Sequence, residues 1–316
     1  MKILVSGSTA YDVLLGYDGS FADAIDPATI QNLSVSFLAP HYARHHGGTA
    51  PNIAWSIHLL GGDPLVVSTI GNDGGEYETL LRGRGISTEY LERKDDAITA
   101  TAIIGTDSGQ RQVAFFHPGA DGIGSFPDLT DRREEFSYAV ISPRNPVLMM
   151  EAVRWCKKYA VKYLFDPGQL IIGLSSDELL FAIEDSAGVI TNEYEWDLLS
   201  NKTKLTEESV LTKTTMAIVT RGDAGVTCFT ADGADTVGPC KAEKVVNPTG
   251  AGDAFRAGFL VGLTNGWNKT DALRLGNSMG SFIVELEGTL PDTLDKEEVI
   301  ARAEQAYGEK LPELNI

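Results

Sequence analysis

The stretch 247–259, NPTGAGDAFRAGF, holds the residue types and spacing best suited to chemistry. Gly250 and Gly252 flank Ala251 immediately before an amphipathic run over 254–263. Glycines at a loop-to-helix junction let the chain turn sharply and aim successive N–H groups one way. With the helix dipole behind them, those amides form an anion hole. Asp253 falls in the first turn, where a carboxylate can accept a hydroxyl proton while the amides hold charge on a transferred phosphoryl group. Read alone, the same residues are equally an Asp-capped helix after a tight turn, with the glycines serving packing. No GxxxxGK[ST] run occurs, which excludes a P-loop as the phosphate site.

The elements that must position this junction read as an alternation. Apolar or β-branched runs at 3–6, 65–69, 138–141, 163–165, 189–191, 216–220 and 225–229 are separated by helical spacing at 52–60, 148–159, 176–183 and 194–199, with a further helix at 271–283. Alternating β and α units imply an α/β fold, an open doubly wound and mostly parallel sheet with helices on both faces. Two regions break the rhythm. Runs at 12–17 and 33–38 read as strands with no helix between them, and 99–105 and 111–116 flank the polar turn 106–109 as a hairpin. Four strands without helices suit a small second sheet over the mouth of a pocket, a lid keeping water from a phosphoryl donor. The expected organisation is a single domain over 1–316 with lid elements at approximately 12–45 and 98–118.

Bulk properties narrow the function classes. A chain of 316 residues with 43% hydrophobic and 22% charged content can bury a large core. The 26 Lys and Arg against 44 Asp and Glu give a formal net charge of −18, which argues against nucleic-acid binding. An anionic substrate must then meet a local site built from backbone amides rather than a basic surface. Three cysteines without a CxxC pair fit a reducing compartment, and no signal peptide or membrane-length apolar run is visible, so a cytoplasmic, membrane-free protein is expected. His41, His45 and His46 lack a further well-spaced ligand type, so no metal site is expected of them.

The motif at 247–259 resembles the C-terminal signature of the ribokinase-like, phosphofructokinase B-type carbohydrate and nucleoside kinases, usually written DTxGAGDxF. The resemblance implies ATP and Mg²⁺ as cofactors, Asp253 as catalytic base, and Gly250, Ala251 and Gly252 as the anion-hole residues. Asn247 and Pro248 depart from the usual Asp-Thr, which bears on any monovalent-cation site that relatives build there. Residues 46–62, HGGTAPNIAWSIHLLGG, resemble the family's N-terminal pattern. This implies that Gly47 and Gly48 give backbone access to the substrate and that Asn52 holds a sugar hydroxyl; by residue type alone Asn52 is also a helix N-cap. Asp12 matches the early Asp that binds ribose or sugar hydroxyls, and is otherwise a turn residue. Asn192 and Glu195, in NEYE, resemble the NxxE motif that organises Mg²⁺ through water, and equally resemble a capping box. Thr220, Gly222 and Gly225 resemble the loop along the nucleotide phosphates, and Asn277 falls where relatives place a residue beside adenine. Gly71-Asn72-Asp73-Gly74-Gly75 resembles a GxDxxG loop in which Asp73 reads mainly as a helix cap.

Within the family, residues 32–40, 114–120 and 165–169 resemble bacterial adenosine-kinase-like members. Phe37 and Phe116 could cover a purine with aromatic surface, or form the lid's own small core. The expected activity is phosphorylation of a nucleoside's primary hydroxyl, most readily adenosine's. A sugar kinase of the same family and a non-catalytic ligand-binding regulator remain as alternatives. The exposed edge of the lid sheet could pair with a second copy as a homodimer, though no residue decides it.

Overall fold

Alternation along β1 (Lys2–Ser6) sets the frame: Ile3 and Val5 enter one apolar layer, Leu4 enters the other, and all three are buried. A strand buried on both faces belongs to a sheet covered on both sides. A computed structural model describes residues 1–25, 34–109 and 111–315. After β1 come β2 (Ala10–Gly16), α1 (Phe21–Ala24), β3 (His41–Gly47), α2 (Thr49–Leu59), β4 (Pro64–Gly71), α3 (Gly75–Gly83), β5 (Tyr90–Lys94), β6 (Ala100–Thr106) and β7 (Gln112–His117). The second half continues with β8 (Phe136–Ile141), α4 (Pro146–Tyr159), β9 (Tyr163–Phe165), α5 (Ser176–Ile183), β10 (Gly188–Asn192) and α6 (Glu193–Thr203). It closes with β11 (Met216–Thr220), β12 (Val226–Thr230), β13 (Gly233–Val237), α7 (Ala251–Thr264), α8 (Lys269–Ile283) and α9 (Lys296–Tyr307).

Nine strands form the main sheet in the order β13-β12-β11-β10-β9-β8-β1-β4-β5. Pairing is parallel from β5 through β11, and β12 and β13 close one edge antiparallel. One apolar layer joins α2, α7, α8 and α9 to the sheet through Ile53, Ile57, Phe259, Leu260, Leu275 and Val299. The opposite layer joins α4, α5 and α6 through Met149, Val153, Leu179 and Leu199. This is the doubly wound α/β architecture expected from the sequence.

The second sheet has the order β3-β2-β6-β7. The hairpin read at 99–116 is present as β6 and β7, in register from Thr101 opposite His117 to Thr106 opposite Gln112. Its turn is held by Asp107, whose carboxylate accepts from the amides of Gly109, Arg111 and Phe21. Two expectations are corrected. Residues 34–38 form no strand, and Leu33 lies outside the described residues. The strand antiparallel to β2 is β3, whose polar run HYARHHG hides a strand because several of its residues stay exposed. Asp73 does not cap α3, whose N-cap is Gly74 without a side-chain bond. Its Oδ1 instead accepts from Thr99 N and Oγ1, both at 2.7 Å, fastening the end of β4 to the start of β6. Among the described residues no helix is long and apolar enough to cross a membrane.

Candidate active site

Parallel strands end together, and loops leaving their C-terminal ends surround a crevice. Here a cleft of about 780 Å³ opens beyond β9, β10 and β11 and is floored by the start of α7. Gly250 is the N-cap of that helix with φ +83°, and a Cβ there would stand 2.7 Å from Thr289 Cγ2. Only glycine makes this entry without strain. Ala251 N donates a long 3.3 Å bond to Pro248 O. The amides of Gly250, Gly252 and Asp253 have no partner among the described residues, and these residues line the cleft. N–H groups at a helix start that stay unpaired invite an anion.

Asp253 projects into the same space. Its Oδ2 accepts from Asn52 Nδ2 at 2.9 Å, and Asn52 Oδ1 in turn accepts from Thr289 Oγ1 at 2.8 Å. Asn52 lies inside α2 rather than at its cap, which is Gly48, so the N-cap reading is overturned. The helix starts three residues earlier than its apolar spacing suggested, which places Asn52 inside it. Burial pushes the Asp253 carboxyl up to about 7, against the pull of Arg256 and the Asn52 bond, with Asp166 and Asp12 adding repulsion. A group poised there can take a proton near neutral pH. Asp12, on β2, is also raised by burial, to about 6, with His45 opposing. Gly47 leaves room for it: a Cβ at 47 would lie 2.2 Å from Asp12 Oδ2.

Farther along the cleft, Asn192 caps α6 by accepting from Glu195 N at 2.8 Å, while Glu195 Oε2 accepts from Asn192 N at 2.8 Å. The capping box and the cleft wall are therefore the same residues. Burial, then the neighbouring Asp166, raises the Glu195 carboxyl. Among the described residues no group of three His, Cys, Asp or Glu could cage a metal directly. Glu195 and Asn192 are hard oxygen donors that fit Mg²⁺ carried on phosphates with its waters retained. Thr220, Gly222, Gly225 and Asn277 also line the cleft, with Asn277 Nδ2 tied to Gly238 O at 2.9 Å and to the Tyr307 hydroxyl at 3.1 Å.

The two aromatic residues separate. Phe37 packs with Tyr17 and Phe21, ring centroids 5.0 and 4.9 Å apart, in the small sheet's own cluster. Phe116 is 53% exposed and stands in register with Ala102, which pairs with Asp12, which pairs with His45. Paired residues share a sheet face, so Phe116 and Asp12 point to the same side. Sequence reading missed Asp166, Arg256 and Thr289. Arg256 left a signal, an arginine in an apolar helix three residues after Asp253. Thr289 left none, because its partner Asn52 is 237 residues away.

A doubly wound sheet with unpaired helix-terminal amides beside a carboxylate, accompanied by a second sheet, defines a ribokinase-like kinase. The chain belongs to the pfkB family of carbohydrate kinases, whose family model matches residues 5–296. It is an ATP-dependent phosphotransferase that acts on a hydroxyl group. It is similar to a nucleoside kinase of Burkholderia thailandensis solved with inosine, at 32% identity and a TM-score of 0.86, covering 98% of this chain and 99% of that one. The nucleoside kinase of Methanocaldococcus jannaschii is 28% identical over 96% of this chain and 97% of its own length. A fructokinase of Solanum lycopersicum is 25% identical over 91% and 94% respectively. The name nucleoside kinase is coarser than the adenosine-kinase-like resemblance read from the sequence.

Proposed function

We propose that the protein transfers the γ-phosphoryl group of MgATP to the primary hydroxyl of a nucleoside, adenosine first among them, with Asp253 as general base. The observation that carries this reading is a carboxylate poised near neutrality beside three helix-terminal amides that have no partner among the described residues, on one cleft floor. Asn52 holds Oδ2, which leaves Oδ1 for the acceptor hydroxyl. As that oxygen attacks the γ-phosphorus, its proton passes to Asp253 and the bond to the β-phosphate oxygen breaks. The amides hold charge on the transferred group. Mg²⁺, when bound, offsets the charge of the β- and γ-phosphates, with Glu195 and Asn192 holding its waters.

Two observations favour a nucleoside over a bare sugar. Phe116 offers an aromatic face on the side of the sheet that presents Asp12, giving a base something to stack on while Asp12 meets ribose hydroxyls. The Burkholderia relative, similar over nearly its whole length, binds inosine. The test is ADP release with MgATP across adenosine, inosine, guanosine, cytidine, ribose and fructose. Turnover of one or more nucleosides with kcat/KM at least tenfold above every sugar is expected. Turnover confined to sugars would replace the acceptor, and ligand binding without any ADP release would replace the enzyme by a sensor.

A further inference from the structure

Helix α7 is apolar where it packs, yet places Arg256 there, three residues beyond Asp253 and therefore on the same helix face. Arg256 is only 7% exposed. Its Nη2 donates to Asp166 Oδ1 at 2.7 Å, and Nε lies 2.6 Å from Asp166 Oδ2. The remaining terminal nitrogen, Nη1, has no hydrogen-bond partner among the described residues. It fills the space above Gly252, where a Cβ would stand 2.7 Å from it. The guanidinium is thus laid along the glycine whose amide opens onto the cleft, and Arg256 itself lines that cleft.

The charge balance of the cleft gives this position meaning. Asp166, Glu195 and Asp253 are among its walls, and a triphosphate adds several negative charges more. Of the described residues that line it only Arg256 and Lys241 are cations, and Lys241 is exposed. A buried arginine–carboxylate pair is seldom the most stable filling of a core, since apolar residues of similar volume usually pack as well without desolvating two charges. An anion beside the pair explains its presence better than packing does. A guanidinium cannot lose its proton, and its planar fork matches phosphoryl oxygens.

We propose that Arg256 is a catalytic residue of phosphoryl transfer: Nη1 donates to an oxygen of the migrating phosphoryl group next to the free amides of α7, while Asp166 is the positioning residue that holds the guanidinium over Gly252. Arg256 stays protonated throughout, and the only proton that moves goes from the acceptor hydroxyl to Asp253. The inference rests on the kinase reading of the Asp253 site and not on which acceptor is used.

The experiment compares wild type with Arg256→Lys and with the double variant Arg256→Gln/Asp166→Asn, in which two amides replace the ion pair so that neither partner is left as an unpaired charge; kcat is read on the alkaline plateau of each pH profile, because losing Arg256 raises the Asp253 carboxyl further. Melting temperature, acceptor Kd, kcat, and affinity for ADP with and without aluminium fluoride are read for each. The double variant is expected to melt within a few degrees of wild type and to bind acceptor and ADP within threefold. It is expected to lose about 100-fold in kcat and in affinity for the ADP–aluminium fluoride mimic. Arg256→Lys, which keeps the charge but not the fork, is expected to fold and to lose at least about tenfold in kcat. A double variant with kcat and mimic affinity within threefold of wild type makes the pair structural and overturns the assignment. If the double variant does not fold, an unchanged kcat in Arg256→Lys overturns it equally. Wild type transferring phosphate to no acceptor would sink the underlying kinase reading, whereas active wild type with equally active variants sinks only the role of Arg256.

Discussion

At the residue scale, the proposed site turns on one carboxylate and the groups that set its affinity for a proton. Burial raises Asp253, while Arg256 and the bond from Asn52 restrain the rise. A general base must be ionised to work, so with Asp253 in the proposed role the acid limb of kcat/KM is expected near pH 7, with activity falling about tenfold per pH unit below it. Asn52→Ala removes a hydrogen bond to the charged form, which moves that limb to higher pH. The same change frees the carboxylate to rotate, and kcat is expected to fall about ten- to a hundredfold with the KM for ATP nearly unchanged. A pH–rate profile of wild type and variant checks both effects; an acid limb that stays in place would detach Asn52 from the base. This link was not legible in sequence. Asn52 and Asp253 each stood out in their own motif, but nothing local announces a contact 201 residues long.

At the element scale, most of the fold could be read because buried strands are apolar runs and α5 and α7 carry their own start signals. Ser175 and Glu178 make a reciprocal capping box at the start of α5. The small stripe of Ala254, Ala257, Gly258 and Val261 predicted a closely packed helix, and α7 lies against α8 so tightly that a Cβ on Gly258 would be 2.9 Å from Gly276 Cα and Leu275 O. Both obstacles belong to the α8 backbone and cannot swing aside. Gly258→Val is therefore expected to destabilise the fold by about 1–3 kcal/mol and to lower Tm by several degrees. Because α8 carries Asn277 and Gly280 into the cleft, KM for ATP should rise as well. Thermal melting together with ATP titration checks this, and an unchanged Tm would mean that the two helices are free to separate. Elements whose faces stay partly wet escaped sequence reading. The polar strand β3 was replaced by the apolar run 33–38, and β5, β13 and α9 were not read at all.

At the scale of the whole molecule, an acidic chain with net charge −18 belongs to a family that transfers phosphoryl groups from ATP. Backbone amides, one buried arginine and a metal carried with the nucleotide can do the work that surface lysines do elsewhere. Carboxylates kept in such a cleft oppose folding once ionised. Asp253 and Asp12 both bind protons more tightly in the folded chain than an ordinary carboxylate does, so their contribution to stability is fullest below pH 4 and is lost as pH rises through about 6 to 7. Replacing Asp253 with an uncharged isostere should then stabilise the protein by about 0.5–2 kcal/mol at pH 8, a gain in stability tied to a loss of function. The same variant also tests the proposal that Asp253 is the base. Asp253→Asn, assayed at pH 8 with MgATP and the best acceptor of the panel, is expected to bind both ligands within threefold of wild type and to lose kcat by about 10²–10⁴. A variant that binds both ligands and still turns over at a rate near wild type would contradict it.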